Sequence, residues 1–363
     1  MRAISEEPHV LLGQNQMRAE REWSTDGGAL LVVHPHFHRR RTGVTAHTER
    51  IVTELARLME TRAVGGNLEE DVPRIAWSEL WRRIRQEPVV WHAHRNNELL
   101  AGLLLRWMGR EVRLVYTRHG GNPPGRFTRF LTRFAEQLVT LNAQSAEWMG
   151  RPSQLVPHGV DLERFTPPVD RDAAWKALGL GGRRGIGVVG RIRPSKGQGD
   201  FVEALTPLLP ELPASEWTPV LVGLAKGRDQ AWAEQLRVKT GGRLVLAGEQ
   251  RPVVPWYQGL SVLVNPTHFE SFSMVMLEAM ACGCCTVMSR LPHVPSFIEH
   301  GRTGFLFEPG NVAELSELLR QLLHEPEQAR QVGLNAAEEA RARFGVANEA
   351  RALARVYQSA MGR

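Results

Sequence analysis

Short apolar runs that alternate with stretches of helical periodicity recur along this chain, and they constrain its fold more than any other feature. The first run, at 29–33, follows two glycines and is typical of a strand buried on both faces of a parallel sheet. A helical spacing of apolar residues follows at 48–60. Further strands are expected at 88–91, 112–116, 137–141, 186–189, 218–222, 243–246, 261–264 and 286–288. This alternation predicts an α/β protein with parallel sheets covered by helices.

A break in this pattern divides the chain into two halves. Pro157 and Gly159 interrupt the periodicity at 156–161, and two more prolines follow at 167–168. We therefore expect two Rossmann-like domains that face each other across a cleft, because ligands bind at the ends of parallel strands. The predicted units are an N-terminal domain at 1–157, a C-terminal domain at 158–344, and a C-terminal helix at about 345–363 that packs back on the first domain.

Composition and cysteine content limit the class of protein. With 42% apolar residues among 363, the chain can bury two ordinary cores, which excludes a disordered tail. Cys282, Cys284 and Cys285 cannot form a secreted disulfide framework, so a reducing cytoplasm is expected. The longest apolar run, 99–108, contains Arg106 and is shorter than the roughly 18 residues that cross a bilayer. Since the first residues also lack a signal-peptide pattern, we expect a cytoplasmic protein.

Positive charge is concentrated in the first half of the chain. Residues 1–157 hold 22 Arg and no Lys against 17 acidic residues, and 82–133 holds 11 Arg against three Glu. This excess favours an anionic partner, namely nucleic acid, anionic lipid or a phosphorylated small molecule, or it forms a solvated face. No recognition helix or aromatic platform accompanies it, so no nucleic-acid partner is expected. Residues 1–27 show no period and have no predicted role.

The stretch from Arg126 to Phe134 places three phenylalanines and a leucine on one helical face between arginines. A basic amphipathic helix of this kind can lie on an anionic membrane. It can equally pack against the sheet of the first domain. We favour packing on the sheet and keep peripheral contact with an anionic membrane as the alternative.

Two glutamates eight positions apart, Glu270 and Glu278, follow the strand expected at 261–264. If residues 271–273 form the turn before a helix, the free backbone N–H groups there suit a diphosphate or a sugar hydroxyl. Carboxylates pair naturally with vicinal hydroxyls, so the two side chains are candidates for binding a sugar and a ribose.

Three other patterns resemble ligand sites but do not predict them. The glycines of 185–190 fit G-x-G-x-x-G, yet an apolar strand runs through them instead of preceding them. Asp170 and Asp172 lie in a linker bordered by proline, where no metal site is expected. The histidines at 34, 36 and 38 have no Cys or carboxylate beside them in sequence, so no metal site is predicted there either.

The glutamate pair and the segments around it resemble the family 4 retaining glycosyltransferases of GT-B architecture. The signature of that family is a Glu, seven residues and a second Glu, which Glu270 and Glu278 match. The family usually has Gly at 271 and 273 and often Asn at 158, where this chain has Ser, Ser and His. The resemblance also covers 190–191 with 196–197, 157–161 and 279–283, and it is close over about 156–310.

This resemblance implies two Rossmann-like domains in the GT-B arrangement and assigns roles to particular residues. Arg191 and Lys196 would stabilise the departing diphosphate in place of a metal ion, so no cofactor or metal is expected. The expected catalytic residues are His119, Glu270, Arg191 and Lys196. The expected donor-binding residues are Gly43, Arg191, Lys196, Glu270, Phe272, Ser273, Met274 and Glu278.

Within these sets the resemblance implies particular contacts. Glu278 would bind the ribose, Glu270 and the amides of 272–274 the sugar, and Gly43 would let the backbone approach the phosphates. His119 would touch the donor sugar from the first domain, whereas His92 and His94 are expected to form hydrogen bonds at a strand end. Retaining members are thought to react on one face of the sugar, with the leaving phosphate oxygen assisting deprotonation of the acceptor.

A narrower resemblance concerns lipopolysaccharide core mannosyltransferases. The segments 42–45, 156–161 and 190–194 are similar to theirs, which implies GDP-mannose as donor and a membrane-borne glycan or glycolipid as acceptor. Two alternatives stay open at this stage. One is a nucleotide-sugar epimerase of the same architecture, and the other is a non-catalytic protein that binds a sugar nucleotide.

Overall fold

The computed structural model describes residues 30–362, which form two parallel sheets surrounded by helices. The strands are β1 Leu31–His36, β2 Thr61–Gly65, β3 Val89–Ala93, β4 Val112–Arg118, β5 Gln137–Thr140, β6 Gln154–Leu155, β7 Arg184–Val189, β8 Trp217–Val222, β9 Val245–Gly248, β10 Leu260–Asn265, β11 Cys285–Ser289 and β12 Phe305–Phe307. Residue 29 of the first expected strand and all of 1–27 lie outside the described residues.

The helices connect consecutive strands and then close the chain. They are α1 Gly43–Leu55, α2 Trp77–Arg83, α3 Asn96–Trp107, α4 Arg126–Thr132, α5 Ala143–Met149, α6 Arg171–Ala177, α7 Gln198–Leu205, α8 Arg228–Lys239, α9 Val254–Gly259, α10 Met274–Ala281, α11 Val312–His324, α12 Pro326–Arg343 and α13 Val346–Ala360. The last part of the chain forms three helices, and Pro326 begins the second of them because proline suits a first helical turn.

Each sheet has six parallel strands. The first has the order β2-β1-β3-β4-β5-β6, and the second has the order β12-β11-β10-β7-β8-β9. The prediction of an α/β protein with two Rossmann-like halves is therefore confirmed. All parallel strands of one sheet end at the same edge, which brings residues that are distant in sequence together there.

Strands that the sequence did not predict lie at the sheet edges. β2, β6 and β12 each occupy an edge position. An edge strand is short and has only one neighbour, so it does not need the long apolar run of a central strand. β9, also at an edge, begins two residues later than expected.

The first helix, α1, begins five residues earlier than the apolar spacing indicated. Thr42 caps it, because the Thr42 hydroxyl accepts a hydrogen bond from the Thr45 amide and the Thr45 hydroxyl accepts one from the Thr42 amide. Such a reciprocal cap satisfies amides that the first turn leaves without a partner. The helix therefore starts directly at Gly43, close to the end of β1.

Packing explains the glycines in β7. A Cβ added to Gly185 would lie 2.2 Å from the ring of Trp175, and one added to Gly187 would lie 2.3 Å from the carbonyl oxygen of Val220. These glycines thus allow a buried tryptophan and a neighbouring strand to approach. The strand runs through the G-x-G-x-x-G pattern, which confirms that it is not a dinucleotide motif.

The chain passes between the two halves at two adjacent places. The Val160 amide donates to the Phe344 carbonyl, and the Val346 amide donates to the Val160 carbonyl at 2.9 Å. After the second crossing, α13 packs against α1 and β4 of the first half, where Tyr357 is fully buried. The C-terminal helix therefore belongs to the core of the N-terminal half.

Candidate active site

The carboxyl ends of β7, β8 and β9 enclose a cavity of about 300 Å³. Its lining comes from the segments that follow each strand: Val189, Gly190, Arg191, Val222, Gly223, Leu224, Lys226, Glu249, Gln250 and Val253. Two cations, Arg191 and Lys226, and one carboxylate, Glu249, are among them. Arg191 was predicted from sequence, whereas Lys226 had no recognisable motif around it.

A smaller cavity next to it contains Lys196 and Glu270. The Lys196 Nζ lies 2.9 Å from Glu270 Oε1, and about a fifth of each side chain is exposed (23% and 21%). Gly190 lines both cavities, so Arg191 and Lys196 stand beside one continuous region. The structure therefore brings together three of the four predicted catalytic residues.

The second carboxylate oxygen of Glu270 is buried and accepts no hydrogen bond from any described residue. A buried carboxylate oxygen without a donor is unfavourable, and a ligand hydroxyl or N–H at this position would satisfy it. Glu270 is thus arranged to accept one bond from Lys196 and another from a bound molecule.

The two serines that replace family glycines have hydrogen-bonding roles within the protein. Ser273 caps α10, because its hydroxyl accepts from the Met276 amide and from the Asn265 side-chain amide. The Ser271 hydroxyl donates to the His119 carbonyl at 2.8 Å, which joins the loop to the other half of the molecule. These positions therefore fix the loop where the family more often uses flexible residues.

Phe272 and Ser273 were predicted to bind donor, and their side chains are buried in the protein. Phe272 is 7% exposed, and its ring packs 5.1 Å from that of His158 and 5.1 Å from that of Phe297. Met274 is the partly buried first residue of α10 and contacts Arg50 through its sulfur. A donor can reach Phe272 and Ser273 only through the backbone, so donor binding by the amides of 272–274 stays a prediction.

Glu278 lies about two turns into α10 and accepts a hydrogen bond from the Tyr257 hydroxyl at 2.8 Å. Burial raises the pKa of this carboxyl above its ordinary value, while the Tyr257 hydrogen bond, Arg50 and Arg164 act in the opposite direction. Its other oxygen, Oε1, accepts no hydrogen bond from any residue that the structure describes. The arrangement suits a ligand that donates hydrogen bonds, such as a diol.

His119 follows β4, and both of its ring nitrogens are engaged by other histidines. Nε2 lies 2.9 Å from His94 Nδ1, and Nδ1 lies 3.2 Å from His158 Nε2. Burial, with the neighbouring histidines, lowers the pKa of His119 well below its usual value, so the ring is neutral. A hydrogen bond from His119 to a sugar therefore requires one of these contacts to open.

Sequence reasoning missed the group behind His119, which is centred on Glu349 of α13. Glu349 Oε1 accepts from His47 Nε2 at 2.7 Å and from His158 Nδ1 at 3.0 Å, and Oε2 accepts from the Gly159 amide at 2.7 Å. Burial raises the pKa of Glu349, but the two imidazoles outweigh burial and hold it well below its ordinary value. Nothing in the sequence signals this contact, because Glu349 is 302 residues from His47.

The remaining predicted histidines behave as strand-end residues. His92 contacts the hydroxyls of Tyr357 at 2.8 Å and Thr117 at 2.6 Å, which confirms the hydrogen-bonding role expected of it. His34 contacts His94 at 3.0 Å, whereas His36 contacts the Gly66 carbonyl on the other side of the strand. Two positions apart on one strand, His34 and His36 face the same side of the sheet, and they contact different partners because β1 lies between β2 and β3.

Gly43 and the arginines before it lie at the same edge of the first sheet. No atom lies within 4 Å of a Cβ added to Gly43, so the space beside its backbone is open. Arg41 pairs with Glu49 at 2.7 Å and with Glu69 at 2.6 Å, whereas Arg39 and Arg40 are exposed. Donor contact at Gly43 stays a prediction, and all three arginines, including the paired Arg41, are exposed to solvent.

The helix expected at 126–134 buries only part of the predicted face. α4 ends at Thr132, and its buried residues are Thr128, Leu131 and Thr132. Leu131 is buried with residues of the sheet, and Phe134 packs against the same cluster, so the segment packs on the first half as expected. Phe127 and Phe130, at 56% and 51% exposed, lie on the surface instead of in that contact. No described helix is long and apolar enough to cross a membrane.

Comparison with known proteins agrees with this geometry. The profile of the group 1 glycosyl transferases matches residues 183–325. Lipopolysaccharide core biosynthesis mannosyltransferase LpcC of Rhizobium leguminosarum bv. viciae is 32% identical over 342 residues, which cover 91% of this chain and 97% of that protein. LpsB of Rhizobium meliloti is 30% identical over 91% of this chain and 97% of its own length.

Solved structures share the fold at low identity. Anabaena Alr3699/HepE in complex with UDP has a TM-score of 0.77 at 19% identity, over 91% of this chain and 100% of that one. A glycosyltransferase of Rickettsia africae ESF-5 has a TM-score of 0.78 at 15% identity, over 92% and 99%. These likenesses confirm the GT-B architecture. The chain therefore belongs to the group 1 glycosyltransferases, and two lipopolysaccharide core mannosyltransferases are among the proteins similar to it.

Proposed function

We propose that this glycosyltransferase transfers mannose from GDP-mannose, with retention of configuration, to a glycan or glycolipid acceptor of the lipopolysaccharide-core type. The observation that carries the proposal is the placement of Arg191, Lys196 and Glu270 beside the cavity at the ends of β7–β9. The choice of sugar and acceptor is supported by the relative from Rhizobium leguminosarum, whose name is that of a lipopolysaccharide core mannosyltransferase.

In this proposal, side chains stabilise the leaving diphosphate without a metal ion. Lys196 is held by Glu270 at 2.9 Å and can turn toward a phosphate oxygen while it stays near the carboxylate. Arg191 and Lys226 line the adjacent cavity and add two further positive charges. Fixed charges directed at a departing anion stabilise the transition state more than the ground state, because the charge develops only as the bond breaks.

The sugar and the ribose are proposed to bind the two glutamates. Glu270 has a buried oxygen without a donor, which a sugar hydroxyl would satisfy. Glu278 has one oxygen on Tyr257 and accepts a ribose hydroxyl with the other. In the proposed step the acceptor oxygen bonds to the sugar carbon on the face from which the diphosphate leaves, and the leaving phosphate oxygen takes up the acceptor's proton. Configuration is then retained, and no protein nucleophile is assigned.

Donor binding is tested first on the protein alone. A thermal-shift panel of GDP-mannose, UDP-glucose and ADP-glucose measures which donor stabilises the fold, and a ligand at 100 times its Kd adds about 2.7 kcal/mol. GDP-mannose is expected to give the largest shift. A shift with UDP-glucose alone would overturn the choice of GDP-mannose, and no shift with any nucleotide sugar would overturn the assigned donor cavity.

Transfer is then tested with two variants and a matched control. Glu270→Ala should abolish transfer with folding intact, and Lys196→Met should lower kcat by about 100-fold or more, since it removes one charge that stabilises the leaving group. Lys239→Met removes an exposed lysine of α8 and should leave turnover unchanged. The anomeric configuration of the product, read by NMR coupling constants, tests retention, and an inverted product would refute it.

We further propose that an exposed apolar surface of the N-terminal half touches an anionic membrane, where a glycolipid acceptor would lie. α3 packs against α4, both helices expose large apolar side chains, and Arg126 and Arg129 are exposed on α4. The exposed side chains are Leu104, Trp107 and Met108 near the end of α3 and Phe127 and Phe130 on α4. Apolar side chains flanked by arginines suit the interface of an anionic bilayer.

Vesicle co-sedimentation tests this surface. The chain is expected to bind vesicles of phosphatidylcholine with phosphatidylglycerol more tightly than vesicles of phosphatidylcholine alone. The double variant Phe127→Ser with Phe130→Ser should lose most of that binding, whereas Leu334→Ser, which alters an exposed leucine of α12, should not. Equal binding by the double variant and the wild-type protein would refute the membrane contact.

A further inference from the structure

Three histidines at the edge of the first sheet surround a common point. One ring nitrogen each from His47, His94 and His119 lies within 4.8 Å of the other two. His47 comes from α1, whereas His94 and His119 directly follow β3 and β4. His47 and His94 are 3% and 4% exposed, and His119 is partly exposed.

The spacing of the three rings is that of ligands around one ion. Their centroids are 5.1 Å (His94–His119), 5.2 Å (His47–His119) and 5.6 Å (His47–His94) apart, with interplanar angles of 44°, 62° and 73°. A zinc–nitrogen bond of about 2.0–2.1 Å and tetrahedral angles place the centroids of ligating imidazoles about 5.2 Å apart. The observed triangle therefore fits a tetrahedral site with splayed rings.

Glu349 determines which nitrogens of this group carry hydrogen. A carboxylate accepts hydrogen bonds, so a neutral His47 ring donates to Glu349 through Nε2 and has its lone pair on Nδ1. His158 likewise donates through Nδ1, so its Nε2 accepts from His119 Nδ1, and the lone pair of His119 lies on Nε2. Two of the three rings thus have the tautomer that a metal ligand needs.

One nitrogen of the group has no partner in the protein. His47 Nδ1 is buried and makes no hydrogen bond to any described residue. A metal ion would satisfy it, and each ligand would then have a hydrogen-bonding partner for its other nitrogen: Glu349 for His47, His158 for His119 and His34 for His94. Such partners are the usual support of metal-bound histidines.

Two other groups of buried ligands in the described part of the chain are less suitable. In the group of His34, His92 and His94, both nitrogens of His92 already contact hydroxyls, and both nitrogens of His34 are engaged. In the group of His47, His158 and Glu349, the two rings lie only 3.9 Å apart, too close for two ligands of one tetrahedral ion.

We propose that His47, His94 and His119 form a three-histidine site for Zn²⁺ or a similar divalent transition metal, with the fourth position open on the side of His119. His94 Nδ1 and His119 Nε2 are 2.9 Å apart, and ligating nitrogens are about 3.3 Å apart, so binding moves them by about 0.4 Å. His94 then donates to His34 through Nε2. Three protein ligands with one open position are the arrangement of catalytic zinc sites, and the site is distinct from the diphosphate cavity.

Metal binding by the metal-free, full-length protein tests this site. Equilibrium dialysis against Zn²⁺ should give one ion per chain. His47→Gln should lower the affinity at least tenfold, because it removes one ligand while a glutamine amide can still donate to Glu349. His92→Gln is the matched control, since it alters an equally buried histidine outside the triad and should keep the affinity within about threefold.

Co²⁺ provides a second measurement that needs no variant. Its absorption in the wild-type protein should show the intense visible bands of a tetrahedral site, and Zn²⁺ should displace it. The absence of bound Zn²⁺, an octahedral Co²⁺ spectrum, or equal loss of affinity in His47→Gln and His92→Gln would overturn the proposal. Because metal content is measured without donor or acceptor, failure here is distinct from failure of the proposed transfer reaction.

Discussion

Removal of the Glu349 side chain should destabilise the whole molecule, although this residue is on the last helix. In the wild-type protein the Glu349 carboxylate lies 2.7–3.0 Å from three buried donors: His47 Nε2, His158 Nδ1 and the Gly159 amide. Glu349→Ala leaves all three without their acceptor. A buried hydrogen-bond donor left without an acceptor costs about 1–3 kcal/mol, so three of them cost at least about 3 kcal/mol. For a chain of 363 residues, a loss of about 3–5 kcal/mol corresponds to a fall in melting temperature of about 4–7 °C.

Differential scanning fluorimetry and hydrogen exchange measure this effect. The Gly159 amide should also exchange faster, because it loses its acceptor. Glu349→Gln keeps one oxygen acceptor and should lie between the wild-type protein and the alanine variant. Glu338→Ala, which alters an exposed glutamate of α12, serves as control. If Glu349→Ala and Glu338→Ala have the same melting temperature, the Glu349 carboxylate does not stabilise the packing of α13 on the first half.

Further expected outcomes concern other residues. Burial raises the pKa of Glu278, so its ionised form destabilises the fold at neutral pH. Glu278→Gln should raise the melting temperature at pH 7.5, and the gain should shrink as the pH falls and Glu278 itself becomes protonated; a gain independent of pH would contradict this. Gly197→Ala should destabilise by more than about 2 kcal/mol, because φ is +71° and the new Cβ would lie 1.9 Å from the Pro266 carbonyl oxygen. Gly199→Ala, whose Cβ has only an ordinary contact at 3.5 Å, is the control, and equal melting of the two variants would refute the steric argument. Burial raises the pKa of Cys282 to about 12 and that of Cys284 to about 11, so a thiol reagent such as Ellman's should react with the cysteines only after denaturation. Rapid reaction in the native protein would contradict their burial.

The sequence allowed the fold and one side of the site to be predicted, for a physical reason. Central strands need continuous apolar runs, and Arg191, Lys196 and Glu270 directly follow such strands, so their neighbourhood follows from the strand order. The edge strands escaped prediction because they need no such runs. The exposure of Phe127 and Phe130 escaped prediction because helical spacing groups side chains on one face without showing how much of that face is buried.

The other side of the site depends on contacts that no local pattern encodes. Glu349 meets His47 and His158 only because α13 returns to the first half after the second crossing. His94 and His119 meet because they follow the neighbouring strands β3 and β4. The histidine group is therefore a property of the tertiary structure and could not be read from the spacing of its members.

The paired crossings at Val160 and Val346 have a mechanical consequence. Two segments joined by hydrogen bonds must bend together, so a change in the angle between the halves follows a single axis, and twisting about the segments is resisted. Gly159 and Glu349 lie next to these crossings. A rotation that narrows the cleft between the halves would therefore also strain the hydrogen bond from the Gly159 amide to Glu349. Closure of the cleft and the alignment of the imidazole rings held by Glu349 would thus change together.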